Sequence, residues 1–113
     1  MTVTELSAMT GGWFVGAFAP VALHTDVCEV ACKRYRAGAT EARHVHRVAT
    51  ELTLVVSGTV MMNGRTLVAG QIVRLEPGED ADFAAIEDAV TVVVKTPSVA
   101  GDKYVIAPVS PEQ

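Results

Sequence analysis

Apolar and polar residues alternate along most of this chain with the two-residue period of a half-buried strand, and no stretch of ten residues follows the helical period. From Val27 to Tyr35, Cys28, Val30 and Cys32 share one face while Glu29 and Lys33 share the other. Ala89 to Lys95 repeats the pattern, with Val90, Val92 and Val94 on a common face. Between them strands are read over Thr40 to His46, Glu51 to Met62, Arg65 to Val68, Gln71 to Leu75 and Phe83 to Ile86. Asn63-Gly64 suits the positive φ angles of a type I′ hairpin turn. A further turn falls at Glu76-Pro77-Gly78-Glu79, and Glu87-Asp88 is read as the tip of a hairpin joining Phe83–Ile86 to Ala89–Lys95. Gly11 to Phe18 makes an opening strand ended by Pro20, and Asp102 to Ala107 a closing one. Seven to nine short strands with turns at close intervals indicate an all-β sandwich or barrel.

At 113 residues the chain is one domain, with a core over about residues 26–96 flanked by the opening and closing segments; Ser110 to Gln113 read as a loose end. A net charge of −4 gives no basic field and argues against a nucleic-acid footprint. The apolar stretch from Ala8 to Leu23 is too short for a bilayer, begins after Glu5 rather than after positive charge, and is broken by Gly11, Gly12 and Pro20. It is therefore read as part of the fold, in a cytoplasmic protein without a membrane partner. Its apolar edge around Trp13 to Phe18 is expected to be covered by pairing in a homodimer. Cys28 and Cys32, four residues apart on a strand, would lie roughly 13 Å apart, beyond disulfide reach, and are read as reduced core residues.

His44-Val45-His46 carries the clearest chemistry. Two strand residues separated by one project from the same face about 6.6 Å apart, close enough for both imidazoles to converge on one ion. Glu51 lies five positions beyond His46, so in one unbroken strand it would point to the opposite face. A chain reversal within Arg47-Val48-Ala49-Thr50 would return it beside the histidines, although no Gly or Pro marks one. Two imidazoles and a carboxylate would then suit iron, manganese, nickel or zinc as a divalent ion. Thr53 shares the parity of Glu51 and is a candidate for contact with a ligand. Arg34 extends the Cys28, Val30, Cys32 face and is a candidate for holding a substrate carboxylate at the mouth of the fold.

These residues resemble the first motif of the cupin superfamily. Gly38, His44, His46, Glu51 and Gly58 occupy its positions in register, five matches across twenty-one residues. The resemblance implies a small antiparallel β-barrel of jelly-roll type with a metal ion in its lumen. The second motif is followed only in part. Gly70 and Gly78 fit, proline is displaced to Pro77, and the positions of the usual third histidine and the asparagine hold Ala81 and Ala85. The vacant ligand position could be filled by water or substrate, by Asp82 through a bulge, or by Glu79 from the turn. Asp82 is accordingly a fourth candidate ligand beside His44, His46 and Glu51.

Three functional readings follow. The first is a small metal-dependent enzyme of oxygenase, isomerase or lyase type, acting on a polar small molecule. The second is a non-catalytic ligand-binding or storage module; a metal-free, sugar-epimerase-like chemistry, pairing a histidine base with a tyrosine such as Tyr35 or Tyr104, stands beside it. In the third the motif survives only as scaffold. Fold resemblance alone assigns no reaction.

Overall fold

The computed structural model describes residues 1–107, so the loose end expected at Ser110 to Gln113 lies outside the described residues. Two short 3₁₀ turns, Leu6–Ala8 and Thr10–Gly12, precede eleven strands. These are β1 (Trp13–Gly16), β2 (Leu23–His24), β3 (Glu29–Tyr35), β4 (Thr40–Val45), β5 (Thr50–Ser57), β6 (Thr59–Met62), β7 (Arg65–Val68), β8 (Ile72–Leu75), β9 (Asp80–Ala85), β10 (Ala89–Thr96) and β11 (Tyr104–Val105). They form a six-stranded sheet in the order β2-β1-β3-β10-β5-β8 and a five-stranded sheet in the order β11-β4-β9-β6-β7. Every pairing is antiparallel except β1 with β2. The all-β reading holds, but the closed barrel is corrected: the edge strands of the two sheets do not pair with one another, so the architecture is two facing sheets.

The Asn63-Gly64 turn has the expected geometry, with φ of 51° and 75°, and joins β6 to β7 in full register. The strand expected from Glu51 to Met62 is divided at Gly58, where φ is +81° and a Cβ would lie 2.1 Å from the carbonyl oxygen of Asp88. The break carries the chain from the six-stranded sheet to the five-stranded one. The expected hairpin between Phe83–Ile86 and Ala89–Lys95 is also corrected. Strand β9 lies between β4 and β6, whereas β10 lies between β3 and β5 in the other sheet, so Glu87-Asp88 is a crossing between sheets. Local alternation cannot distinguish a hairpin from such a crossing. Nor is β1 a free edge, because Val15 and Gly16 pair with Leu23 and His24.

The apolar core fills one part of the space between the sheets, around Val55, Val60, Met62, Leu67, Ala81, Phe83, Ala85 and Ala89. The rest of that space is polar. On β5, Glu51 and Thr53 point inward and are buried while Leu52 and Val56 point outward and are exposed; on β10, Thr91 and Val93 are buried and Val90, Val92 and Val94 only half-buried. On β3 the inward set is Ala31, Lys33 and Tyr35. Cys28 and Cys32 are free and half-buried, with Cys32 on the outward face rather than in the core. The alternating sets were legible, but on β3 the apolar one faces away from the interior.

Candidate metal centre between the sheets

His44 stands on β4 and His46 one residue beyond its end, in one sheet; Glu51 stands on β5 in the other. Because the chain crosses from sheet to sheet between them, the odd five-residue step that would separate their side chains on one strand makes them face each other. One donor atom from each lies within 4.8 Å of the other two. His46 is 5 % exposed and Glu51 9 %, so the group is largely withdrawn from solvent.

The crossing carries no Gly or Pro because a distant residue holds it. Asp102 directs its carboxylate at three successive backbone N–H groups: Arg47 donates to Oδ1 at 2.8 Å, Ala49 to Oδ2 at 2.9 Å, and Val48 to both oxygens at 3.2 Å. Burial would raise the Asp102 carboxyl, but these three donors favour the anion and hold it below its ordinary value. The backbone carbonyl of the same residue accepts a hydrogen bond from Nδ1 of His46. Sequence reasoning gave Asp102 no role, and a separation of over fifty residues leaves no local signal for one.

His44 directs Nδ1 at the carbonyl of Ala42, 3.0 Å away. With both Nδ1 atoms committed to carbonyls, both Nε2 atoms are left to bear lone pairs in the neutral rings, the tautomer a metal-binding histidine needs. Glu51 Oε2 lies 2.9 Å from His46 Nε2 and is buried without a hydrogen-bond partner. A buried acceptor facing two ring nitrogens wants a cation among them, so these residues fit a divalent metal. Without metal a proton serves. Burial disfavours charge on His46, but the Glu51 carboxylate and the Asp102 carbonyl outweigh it and hold the ring above its ordinary pKa. Burial likewise opposes ionisation of Glu51, and His46 and Lys95 overcome it and lower its pKa.

Ala81 pairs with His44 in the β4–β9 ladder and is 3 % exposed, its methyl group among the cavity walls. Asp82 does not join the three donors. Its Oδ2 meets Arg43 Nη2 at 3.2 Å and its Oδ1 accepts the Asn63 N–H at 2.7 Å, since its parity on β9 is opposite to that of Ala81. Glu79 stays in its turn, accepting the Glu76 N–H at 3.3 Å. Thr53 is buried and lines the cavity. Arg34 does not: its even position on β3 sends it outward and leaves it exposed.

Several cavity residues escaped the sequence reading. Glu41 accepts hydrogen bonds from the Tyr35 hydroxyl at 3.0 Å and from Lys33 Nζ at 3.3 Å. Burial and then the Glu41 charge push the Tyr35 hydroxyl far above its ordinary pKa, so it remains a neutral donor. Lys95 pairs with Glu29 at 3.3 Å, and the ammonium groups of Lys33 and Lys95 lie 5.3 and 4.8 Å from the ring centre of Trp13. Tyr104, by contrast, is exposed beneath the Arg47 guanidinium. The free space enclosed is about 40 Å³, room for little more than water or a small ligand group in this conformation.

No protein-family model matches the chain, and no curated protein does. Solved structures do match. An uncharacterized conserved protein with a double-stranded β-helix domain from Klebsiella pneumoniae subsp. pneumoniae is 27 % identical over 76 % of this chain and 75 % of its own, with a TM-score of 0.68. An RmlC-like cupin from Shewanella frigidimarina is 20 % identical over 67 % of this chain and 71 % of its own, with a TM-score of 0.63. The DMSP lyase DddQ from Ruegeria pomeroyi is 18 % identical over 87 % of this chain but 51 % of its own, with a TM-score of 0.71. Two facing sheets of jelly-roll kind around a His, His, Glu cluster define a double-stranded β-helix protein. The chain shares this fold with the RmlC-like cupin and with the other solved structures it matches.

Proposed function

We propose that this protein binds one divalent metal ion through His44 Nε2, His46 Nε2 and a Glu51 carboxylate oxygen, and uses it to act enzymatically on a small polar molecule. The observation that carries this reading is the buried, unpartnered Glu51 Oε2 facing two imidazoles whose other nitrogens are already committed. An ion bound there would supply Lewis acidity toward a substrate oxygen. The chain supplies the rest. Asp102 and the Ala42 carbonyl orient the rings, the Tyr35 hydroxyl stays neutral on the cavity wall while donating to Glu41, and Lys33 and Lys95, paired with Glu41 and Glu29, flank Trp13. Similar structures include a lyase acting on DMSP and an oxalate oxidase seen with glycolate, which supports a small substrate and leaves lyase, isomerase and oxygenase chemistry as the reactions to screen.

The non-catalytic binding module draws on one specific observation, that the position beside His44 is filled by the methyl of Ala81 rather than by a third imidazole. The module would hold a ligand with or without metal, and turnover separates the two readings. Tag-free protein reconstituted with manganese, iron, nickel or zinc should bind one ion per chain, and His44→Ala and Glu51→Gln should each weaken binding at least about tenfold. Oxygen-uptake and small-carboxylate lyase assays on the loaded protein then test the enzyme. Wild-type protein that takes up none of these ions would refute the reading.

A further inference from the structure

The cavity at the metal centre is too small for a whole substrate. Its 40 Å³ holds roughly three water-sized groups at about 10–15 Å³ each, enough for a carboxylate head and nothing behind it. Trp13, Lys95 and Lys103 line this cavity and also line an adjoining open groove of about 400 Å³. Lys95 Nζ lies over the Trp13 ring, 4.8 Å from its centre, so these side chains form the neck between the two spaces. Asp102, whose carbonyl accepts from His46, lines the groove as well, so the groove begins one hydrogen bond from a candidate metal ligand.

The groove walls come from two distant segments. Ala17, Phe18 and Ala19 follow β1, whereas Val99 and Ala100 lie between β10 and β11. Buried Ser98 ties them together. Its hydroxyl accepts from the Ala17 N–H at 3.0 Å and donates to Glu29 Oε2 at 2.7 Å, and the other oxygen of Glu29 pairs with Lys95 at 3.3 Å. Glu29 thereby offsets the charge of Lys95, as Glu41 does that of Lys33, but Lys103 is exposed and pairs with no carboxylate among the described residues. A divalent ion held by the single carboxylate of Glu51 would add excess positive charge behind the neck. An apolar groove thus leads to a positive, head-sized cavity.

We propose that groove and cavity together bind a small carboxylate with an apolar tail, the head entering the cavity past Lys103 and the tail lying against Phe18 and Val99. The place of the head rests on the metal reading; that of the tail rests on the groove alone. The two spaces together reach the size of an ordinary ligand site, about 300–1,000 Å³, mostly apolar with a few convergent polar groups.

Trp13 is the only tryptophan of the chain, so its fluorescence reports on the neck. Zinc-loaded protein, its metal stoichiometry measured separately, is titrated with acetate, hexanoate and 1-hexanol and followed by Trp13 emission and calorimetry. A fully buried methylene is worth roughly fourfold in affinity, and the groove covers the tail on one side only, so hexanoate should bind at least about tenfold tighter than acetate. 1-Hexanol, which lacks the charge, should bind at least about tenfold more weakly than hexanoate. Val99→Ser, at an exposed position, should reduce the hexanoate advantage at least about threefold and leave acetate affinity and zinc uptake unchanged. Lys103→Ala should weaken both carboxylates about two- to fivefold. In metal-free protein both should weaken while their ratio persists. Equal affinities for acetate and hexanoate in protein that binds zinc would overturn the assignment and leave the metal reading standing. Hexanol binding as tight as that of hexanoate, or an advantage undiminished in Val99→Ser, would overturn it too. Failure to take up any divalent ion would refute the metal centre instead, and the hexanoate-to-acetate ratio in that metal-free protein would then decide for or against the groove.

Discussion

Replacing Asp102 by alanine should loosen the metal centre without touching a ligand. The wild-type carboxylate accepts from the backbone N–H groups of Arg47, Val48 and Ala49. Hydrogen bonds to a charged group are worth about 1.5–3 kcal/mol each, but Arg47 and Val48 are exposed and water can replace the acceptor there, so about 0.5–1 kcal/mol is expected from each. Ala49 is 2 % exposed, and its orphaned N–H should cost about 1–3 kcal/mol. The sum, about 2–5 kcal/mol, should lower the urea midpoint at pH 7 well beyond the scatter of surface substitutions. The acid limb gives a second readout. The unfolded carboxyl titrates near 3.8 and the folded one below that, so its contribution is fully present above about pH 4 and is lost as pH falls through the folded value. Wild type and Asp102→Ala should therefore converge in stability towards low pH. The substitution keeps the main-chain carbonyl that orients His46, so metal affinity should fall only as far as the Arg47–Ala49 crossing shifts. Equal midpoints at pH 7 and equal metal affinity would refute the role given to Asp102.

Three further outcomes follow from the site. In metal-free protein the His46–Glu51 pair should stabilise the fold between the folded pKa of Glu51, below 4.5, and that of His46, above 6.5. That contribution should fade as pH rises through the His46 value or falls through the Glu51 value, and titration calorimetry should show metal uptake releasing the His46 proton at neutral pH and weakening in acid. Ala81→His, beside His44 on the inner face, should tighten divalent-metal binding, whereas Ala81→Val should leave the stoichiometry at one; unchanged affinity in Ala81→His would show that this position does not reach the ion. Asp82→Ala should break the half-exposed pair with Arg43 at a cost of about 0–1 kcal/mol, plus about 1 kcal/mol for the Asn63 N–H, and leave metal affinity alone. Loss of metal as complete as in His44→Ala would reinstate the aspartate as a ligand.

The sequence alone determined what depends on neighbours. Two-residue alternation marked most of the strands, Asn63-Gly64 specified its hairpin through two positive φ angles, and the single-residue spacing of His44 and His46 placed both rings on one face. Tertiary structure decided what depends on which sheet a strand enters. Gly58 passes the chain between sheets, and Glu87-Asp88 joins strands that never pair, though both stretches read locally as continuous strand or hairpin. Alternation separates two faces but does not say which is inside; here the inner face of the six-stranded sheet holds Lys33, Glu51, Thr53 and Lys95, so Arg34, Val90, Val92 and Val94 turn outward. The union of Glu51 with the histidines needed the crossing between sheets and the carboxylate of Asp102, more than fifty residues away, because the backbone donors of Arg47–Ala49 can find their acceptor only once the chain has folded.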